Sequence, residues 1–145
     1  MPDKNEFYTL KGYALLENNA VTSSMEDYLE MIYRIAAGGE VVRIKTLAAR
    51  LNVKPSSASK MVQNLRGEGL VSAEKYSYIQ LTDAGNTFGR YLVSRHEILH
   101  RLLCYINQSE NELEQVEKIE HFINAKTVEN IGRLLERLTK PQIPI

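Results

Sequence analysis

Three clusters of side chains in this sequence could do chemistry with a cation. Asp27 and Glu30 stand three apart; His96, Glu97 and His100 fall together in Arg95-His96-Glu97-Ile98-Leu99-His100; Glu117, Glu120 and His121 sit at i, i+3 and i+4. His96-Glu97-x-x-His100 matches the pattern in which two histidines one helical turn apart hold zinc while the glutamate activates water. A zinc hydrolase built on it would need a third ligand downstream and an open cleft. A pattern this short also arises by chance. The competing set is Asp27, Glu30, His96, Glu117, Glu120 and His121: four carboxylates and two imidazoles from three separate helices. Such oxygen-rich donors suit manganese or ferrous iron better than structural zinc, which prefers thiolates. Without a cation the carboxylates would repel one another. Each residue also has a plainer reading: Asp27 completing a capping box with Ser24, Glu30 pairing with Arg34, His96 as a hydrogen-bonded core residue.

The elements that must position these groups are mostly helical. Ser24 opens a first helix, with Leu29, Ile32, Tyr33 and Ala36 at helical spacing until Gly38-Gly39 ends it. A second helix runs from about Ile44 to Leu51, with Ile44, Leu47, Ala48 and Leu51 as its buried stripe. Pro55 then stands where a first helical turn tolerates a missing N–H. The helix it starts buries Ala58, Met61, Val62 and Leu65 and turns Ser56, Ser57, Ser59, Lys60, Gln63 and Asn64 outward. Hydroxyls, amides and a lysine on one exposed face are what phosphate contacts and base-edge readout require.

Gly67 and Gly69 stop that helix, and Leu70–Glu74 and Tyr78–Thr82 read as two strands about a turn that would carry Lys75 and Tyr76. Two short helices and a hairpin make a winged helix-turn-helix, with Arg43, Lys45 and Lys54 adding charge to its DNA face. The rival for this stretch is a small helical interaction module with a solvated basic face. From Thr82 as N-cap a long helix carries Phe88, Leu92, Leu99, Leu103, Ile106 and His96 on its apolar side. Ser109 and Glu112 suggest a capping box for a helix burying Leu113, Val116, Ile119 and Ile123. Thr127 suggests a cap for a last one burying Val128, Ile131, Leu134, Leu135 and Leu138. Two such amphipathic helices are too few to close a core, so they are expected to pack on the long helix and on a second subunit.

Net charge is zero, from 18 basic and 18 acidic residues, but its distribution is uneven. Six basic and no acidic residues lie between Arg43 and Arg66; five glutamates face one lysine between Gln108 and His121. That suits an anionic partner at one end and a cationic ligand at the other. The single cysteine, Cys104, excludes an internal disulfide and reads as a small core thiol. No apolar run approaches the ~20 residues of a membrane span. The expectation is a soluble, cytoplasmic protein.

Five runs carry a resemblance: Ser24-Met25-Glu26-Asp27-Tyr28-Leu29-Glu30, Lys54-Pro55-Ser56-Ser57-Ala58-Ser59-Lys60-Met61-Val62, Glu74-Lys75-Tyr76, Leu92-Val93-Ser94-Arg95-His96-Glu97 and Val116-Glu117-Lys118-Ile119-Glu120-His121. Together they resemble the metal-dependent repressors related to the diphtheria toxin repressor, and within that family its manganese-responsive branch. The resemblance implies a mainly α homodimer: a winged helix-turn-helix domain over residues 24–82, binding double-stranded operator DNA, joined by a long helix to an all-helical dimerisation and metal-binding domain over 83–145. It implies Asp27, Glu30, His96, Glu117, Glu120 and His121 as ligands of two Mn2+ per subunit, with Glu30 and Glu117 bridging and Fe2+, Zn2+ or Cd2+ as substitutes. Iron-specific relatives carry methionine and cysteine where this chain has Asp27 and Glu117, which points to manganese. An iron- or zinc-responsive regulator of the same family is the nearer alternative, and the zinc hydrolase the remoter. Two departures are the extension over residues 1–23, of unassigned role, and His100, where close relatives usually have glutamate and which is either an exposed substitution or an additional metal contact.

Overall fold

The computed structural model describes residues 21–73 and 78–140. The extension up to residue 20 and the wing residues Lys75 and Tyr76 lie outside them. The described elements are α1 (Ser23–Ala37), α2 (Ile44–Leu51), α3 (Pro55–Gly67), β1 (Val71–Ala73), β2 (Ile79–Leu81), α4 (Asp83–Asn107), α5 (Leu113–Ile119), a 3-10 turn (Glu120–Phe122) and α6 (Ala125–Thr139).

Helix α1 starts two residues earlier than a Ser24 cap predicts. Thr22 is the cap, its hydroxyl accepting from the Met25 N–H at 3.1 Å, so the expected Ser24–Asp27 capping box does not form. This leaves the Asp27 carboxylate free for tertiary contacts. The buried face of α1 is Met25, Tyr28, Leu29, Ile32 and Ile35, and Ala36 is exposed, contrary to the expected stripe. Pro55 opens α3 as expected, and its buried face is Ala58, Val62 and Leu65, with Met61 half-buried.

The hairpin is antiparallel, pairing Val71 with Leu81, Ser72 with Gln80 and Ala73 with Ile79. The N–H of Ile79 also donates to the Val42 carbonyl at 2.9 Å, tying the segment before α2 to the wing. Thr82 caps α4 as predicted. Its hydroxyl accepts from Gly85 N–H at 3.0 Å and donates to the Gly69 carbonyl at 2.6 Å, so one side chain fixes both the helix start and the entry to the hairpin.

The later caps differ from the spacing argument. Asn124, not Thr127, caps α6: its side-chain oxygen accepts from Thr127 N–H at 2.9 Å. Ser109 bonds the Glu112 carboxylate at 2.7 Å rather than capping, and α5 begins only at Leu113. α5 is correspondingly short, and its last turn tightens into the 3-10 turn that carries Glu120 and His121.

Two apolar clusters result. The first joins α1, α2, α3, the hairpin and the start of α4, with Leu29, Ile32, Leu47, Leu65 and Leu92 fully buried; each such side chain contributes roughly 1.5–3 kcal/mol relative to exposure. The second comprises Leu99, Leu103 and Val116, flanked by Ile119, Ile123 and Ile131. Helix α4 passes from one cluster to the other between Leu92 and Leu99, and Arg95 and His96 sit at that crossing. Ile106, Leu113, Leu134 and Leu138, expected to be buried, are exposed on the single chain, as are Tyr105 and Phe122. These apolar side chains are more than the small second cluster covers. None of the helices among the described residues is long and apolar enough to cross a membrane.

Candidate functional site

Five of the six oxygen and nitrogen donors singled out by type and spacing fall into two overlapping groups. Asp27, Glu120 and His121 form one and Glu30, His96 and Glu120 the other; within each, the donor atoms lie within 4.8 Å of one another. Glu120 belongs to both. Its Oε2 is 3.0 Å from His96 Nδ1 and its Oε1 3.8 Å from His121 Nε2, while His121 Nε2 is 2.9 Å from Asp27 Oδ1. Glu117 stands outside both groups, more exposed, with Oε1 3.5 Å from His96 Nδ1. Glu120 is thus the carboxylate common to the two groups. A cavity of about 430 Å³ opens beside these groups, lined by Asp27, Glu30, Arg34, His96 and Glu117 among others.

The chemistry of the donor set fits a cation. Glu120 is completely buried, yet its Oε1 has no hydrogen-bond partner, and an unsatisfied buried carboxylate oxygen costs several kcal/mol. Burial pushes the Glu30 carboxyl above its ordinary range even though the Arg34 Nε donates to it at 3.0 Å. The hydrogen bond to Glu120 raises the His96 imidazole. Hydrogen bonds to Asp27 and then to Glu26 push His121 up to about 10. Ligation through His121 Nε2 therefore requires a proton to leave that nitrogen. All three shifts have the same consequence for the metal-free protein. A group that holds its proton more tightly folded than unfolded supports the fold while protonated, so stability falls as pH rises. For His121 the contribution is complete below pH 6.5 and lost as pH passes about 10. Thermal melts of metal-stripped protein should show a falling midpoint across that window, shallower in His121→Ala; a midpoint that climbs with pH would contradict these protonation states.

The zinc-hydrolase pattern does not assemble. His100 belongs to neither donor group among the described residues: its Nε2 accepts the Glu112 backbone N–H at 3.1 Å, with the Cys104 thiol 3.5 Å away. That nitrogen holds the loop leading into α5. Glu97 is exposed, and Cys104, expected as a core thiol, is half-buried beside His100. Glu26 and Arg95, which spacing did not single out, are drawn into the site instead. Glu26 Oε1 lies 2.8 Å from His121 Nδ1 and 3.3 Å from Arg95 Nη2. One signal was available: Arg95 falls between Leu92 and Leu99 on the buried stripe of α4, where a charge must find a partner.

The second candidate surface lies on α2 and α3. Arg43, Lys45, Lys54, Pro55, Ser56, Ser57, Ser59, Lys60, Gln63 and Asn64 are all exposed. The Arg43 guanidinium sits 4.7 Å above the ring of Tyr78, just after the wing turn.

Two family models match most of the chain. Residues 20–79 match the family model described as iron dependent repressor, N-terminal DNA binding domain, and residues 82–142 the one described as iron dependent repressor, metal binding and dimerisation domain. The chain is 39% identical over 116 residues to the HTH-type transcriptional regulator MntR of Lysinibacillus sphaericus (strain C3-41), covering 79% of this chain and 84% of that protein. It is 40% identical over 115 residues to the MntR of Oceanobacillus iheyensis, covering 79% and 78% respectively. Among solved structures it resembles the manganese regulator SloR with a TM-score of 0.68 at 27% identity, over 77% of this chain but only 53% of that one, so it spans about half of that protein's length. With two consecutive models of one family matched over most of its length, the chain belongs to the iron-dependent repressor family.

Proposed function

We propose that the protein is a manganese-responsive transcriptional repressor, acting as a homodimer on double-stranded operator DNA of metal-uptake genes. The observation that carries the reading is Glu120, a buried carboxylate with one unsatisfied oxygen, shared between a donor group that includes Asp27 of α1 and another that includes Glu30 of α1 and His96 of α4. Asp27, Glu30, His96, Glu120 and His121 are the ligands proposed, with Glu117 completing the set and two ions per subunit. When bound, manganese supplies positive charge that offsets the carboxylates. The absence of sulfur among these donors favours manganese, with Fe2+, Zn2+ or Cd2+ as weaker stand-ins.

The chain's own contribution is to hold α1, which packs under the DNA-binding helices, against α4 and the 3-10 turn. That fixes where α3 of each subunit stands relative to its mate, and two recognition helices must match half-sites about 34 Å apart. Ser56, Ser57, Ser59, Lys60, Gln63 and Asn64 would reach base edges and phosphates, with Arg43, Lys45, Lys54, Pro55 and the wing residues Lys75 and Tyr76 along the backbone. The exposed Ile106, Phe122, Leu134 and Leu138 supply apolar surface for a subunit interface.

Fluorescence anisotropy with operator DNA tests the reading. Affinity should rise at least tenfold, about 1.4 kcal/mol, when manganese replaces chelator. Equal affinity in the two conditions would reject it.

A further inference from the structure

His121 presents its two ring nitrogens to two different carboxylates. Nε2 faces Asp27 at 2.9 Å and Glu120 at 3.8 Å, within the first donor group. Nδ1 faces Glu26 at 2.8 Å, and Glu26 belongs to neither group. Arg95 closes the arrangement. It is only 3% exposed, its Nη2 lies 3.3 Å from Glu26 Oε1, and its guanidinium stands 5.8 Å above the ring of Tyr91.

The 3.3 Å approach of Arg95 Nη2 to His121 Nδ1 admits two assignments. Arginine can only donate and an ionised glutamate can only accept. The shorter of the two contacts to Nδ1 is the one to Glu26, so Nδ1–H donates to Glu26 and Arg95 donates to the same oxygen. Two donors from different helices converge on one acceptor. Glu26 lies in the first turn of α1, Arg95 at the centre of α4 and His121 on the 3-10 turn.

We propose that Glu26 and Arg95 are positioning residues of the metal site: Glu26 takes the Nδ1–H of His121 and, anchored by Arg95, turns the imidazole so that Nε2 is the nitrogen offered to the ion. A carboxylate behind a ligating imidazole fixes its tautomer and orientation and raises its basicity, and loss of such a partner typically weakens metal binding 10- to 100-fold. The network differs from the donor groups in needing no cation: its charges are already matched by Arg95. The same contact also joins α1 to the 3-10 turn before any ligand arrives. This inference rests on the metal-binding reading given above.

Cobalt(II) as a paramagnetic probe separates the two. Ligation through Nε2 gives the Nδ1–H of His121 a strongly shifted, slowly exchanging proton resonance that disappears in His121→Ala. In Glu26→Gln the amide oxygen still accepts, so the resonance should persist and manganese affinity, read by calorimetry, should stay within a few-fold. In Glu26→Ala the resonance should vanish and affinity should fall 10- to 100-fold. Because Glu26→Ala leaves a buried guanidinium without its partner, the double variant Glu26→Ala/Arg95→Met removes both charges and should fold while showing the same loss. An unchanged resonance and affinity in the alanine variants would overturn the assignment of Glu26. Wild-type protein that binds neither cobalt nor manganese would overturn the metal-binding reading, and this inference with it.

Discussion

Glu120→Gln should abolish the response to manganese while leaving the protein folded. Glutamine keeps the volume of a completely buried side chain and can still accept from His96 Nδ1, now 3.0 Å from the carboxylate. It removes one of the negative charges that hold Glu30 above its ordinary range. The metal-free variant should therefore stay folded, the relief at Glu30 offsetting the weaker hold on the protonated His96 imidazole. Binding is another matter, because both donor groups lose their common anion. A loss of about 100-fold in affinity is the floor, since outer partners of a ligand alone account for about 10–100-fold. At a manganese concentration 100 times the wild-type Kd, wild type gains about 2.7 kcal/mol of stability and the variant about 0.4 kcal/mol. Differential scanning calorimetry with and without manganese reads the first quantity, and operator anisotropy reads the consequence. A variant whose operator affinity still depends on manganese would show that the response does not run through Glu120.

Gly85→Ala should damage the fold rather than the site. A Cβ at this position would lie 1.8 Å from the Leu70 carbonyl oxygen and 2.8 Å from its carbon. Neither atom can retreat cheaply: the Leu70 carbonyl accepts the Thr82 N–H, the Leu70 N–H donates to Leu65, and Thr82 itself holds the Gly69 carbonyl. Overpacking typically costs about 1–3 kcal/mol, and contact with a pinned backbone carbonyl belongs at the upper end. For a chain of this size about 3 kcal/mol lowers the melting temperature by roughly 6–12 °C. Gly132→Ala is the control, because the added methyl would meet only the flexible end of Ile98 at 3.4 Å. A Gly85→Ala midpoint within about two degrees of wild type would mean that α4 can shift on the wing.

Local rules carried the DNA-binding half of the chain. Pro55, Gly67 and Gly69 at the end of α3 and the Thr82 cap act within a few residues of themselves, so the order of helices, hairpin and linker helix could be read directly. Cap identity was harder where candidates crowd together. Thr22, Ser23 and Ser24 are all good caps, and nothing in the three residue types marks Thr22, which caps α1, over the others. The Ser109–Glu112 spacing promised a box, but the pair bond side chain to side chain and α5 waits for Leu113. Donor types and spacing pointed to the candidate cluster, yet the pairing within it depends on contacts between residues far apart in sequence, such as Glu26 and His121, 95 positions apart. For the same reason periodicity alone could not separate Ile106, Leu134 and Leu138 from core: their stripe is real, but the second cluster is too small to cover it.

Helix α4 has a mechanical consequence. It is a single unbroken rod of 25 residues with His96 near its middle, hence about 37 Å long with about 20 Å between His96 and its wing end. Pivoted at His96, a tilt of about 5° carries that end through about 1.7 Å by the same geometry. In a symmetric pair the two displacements add, to about 3 Å against a half-site separation of about 34 Å. On the proposed reading, a rearrangement of a few tenths of an ångström among the carboxylates would thereby be geared up to a misfit that two adjacent major grooves register.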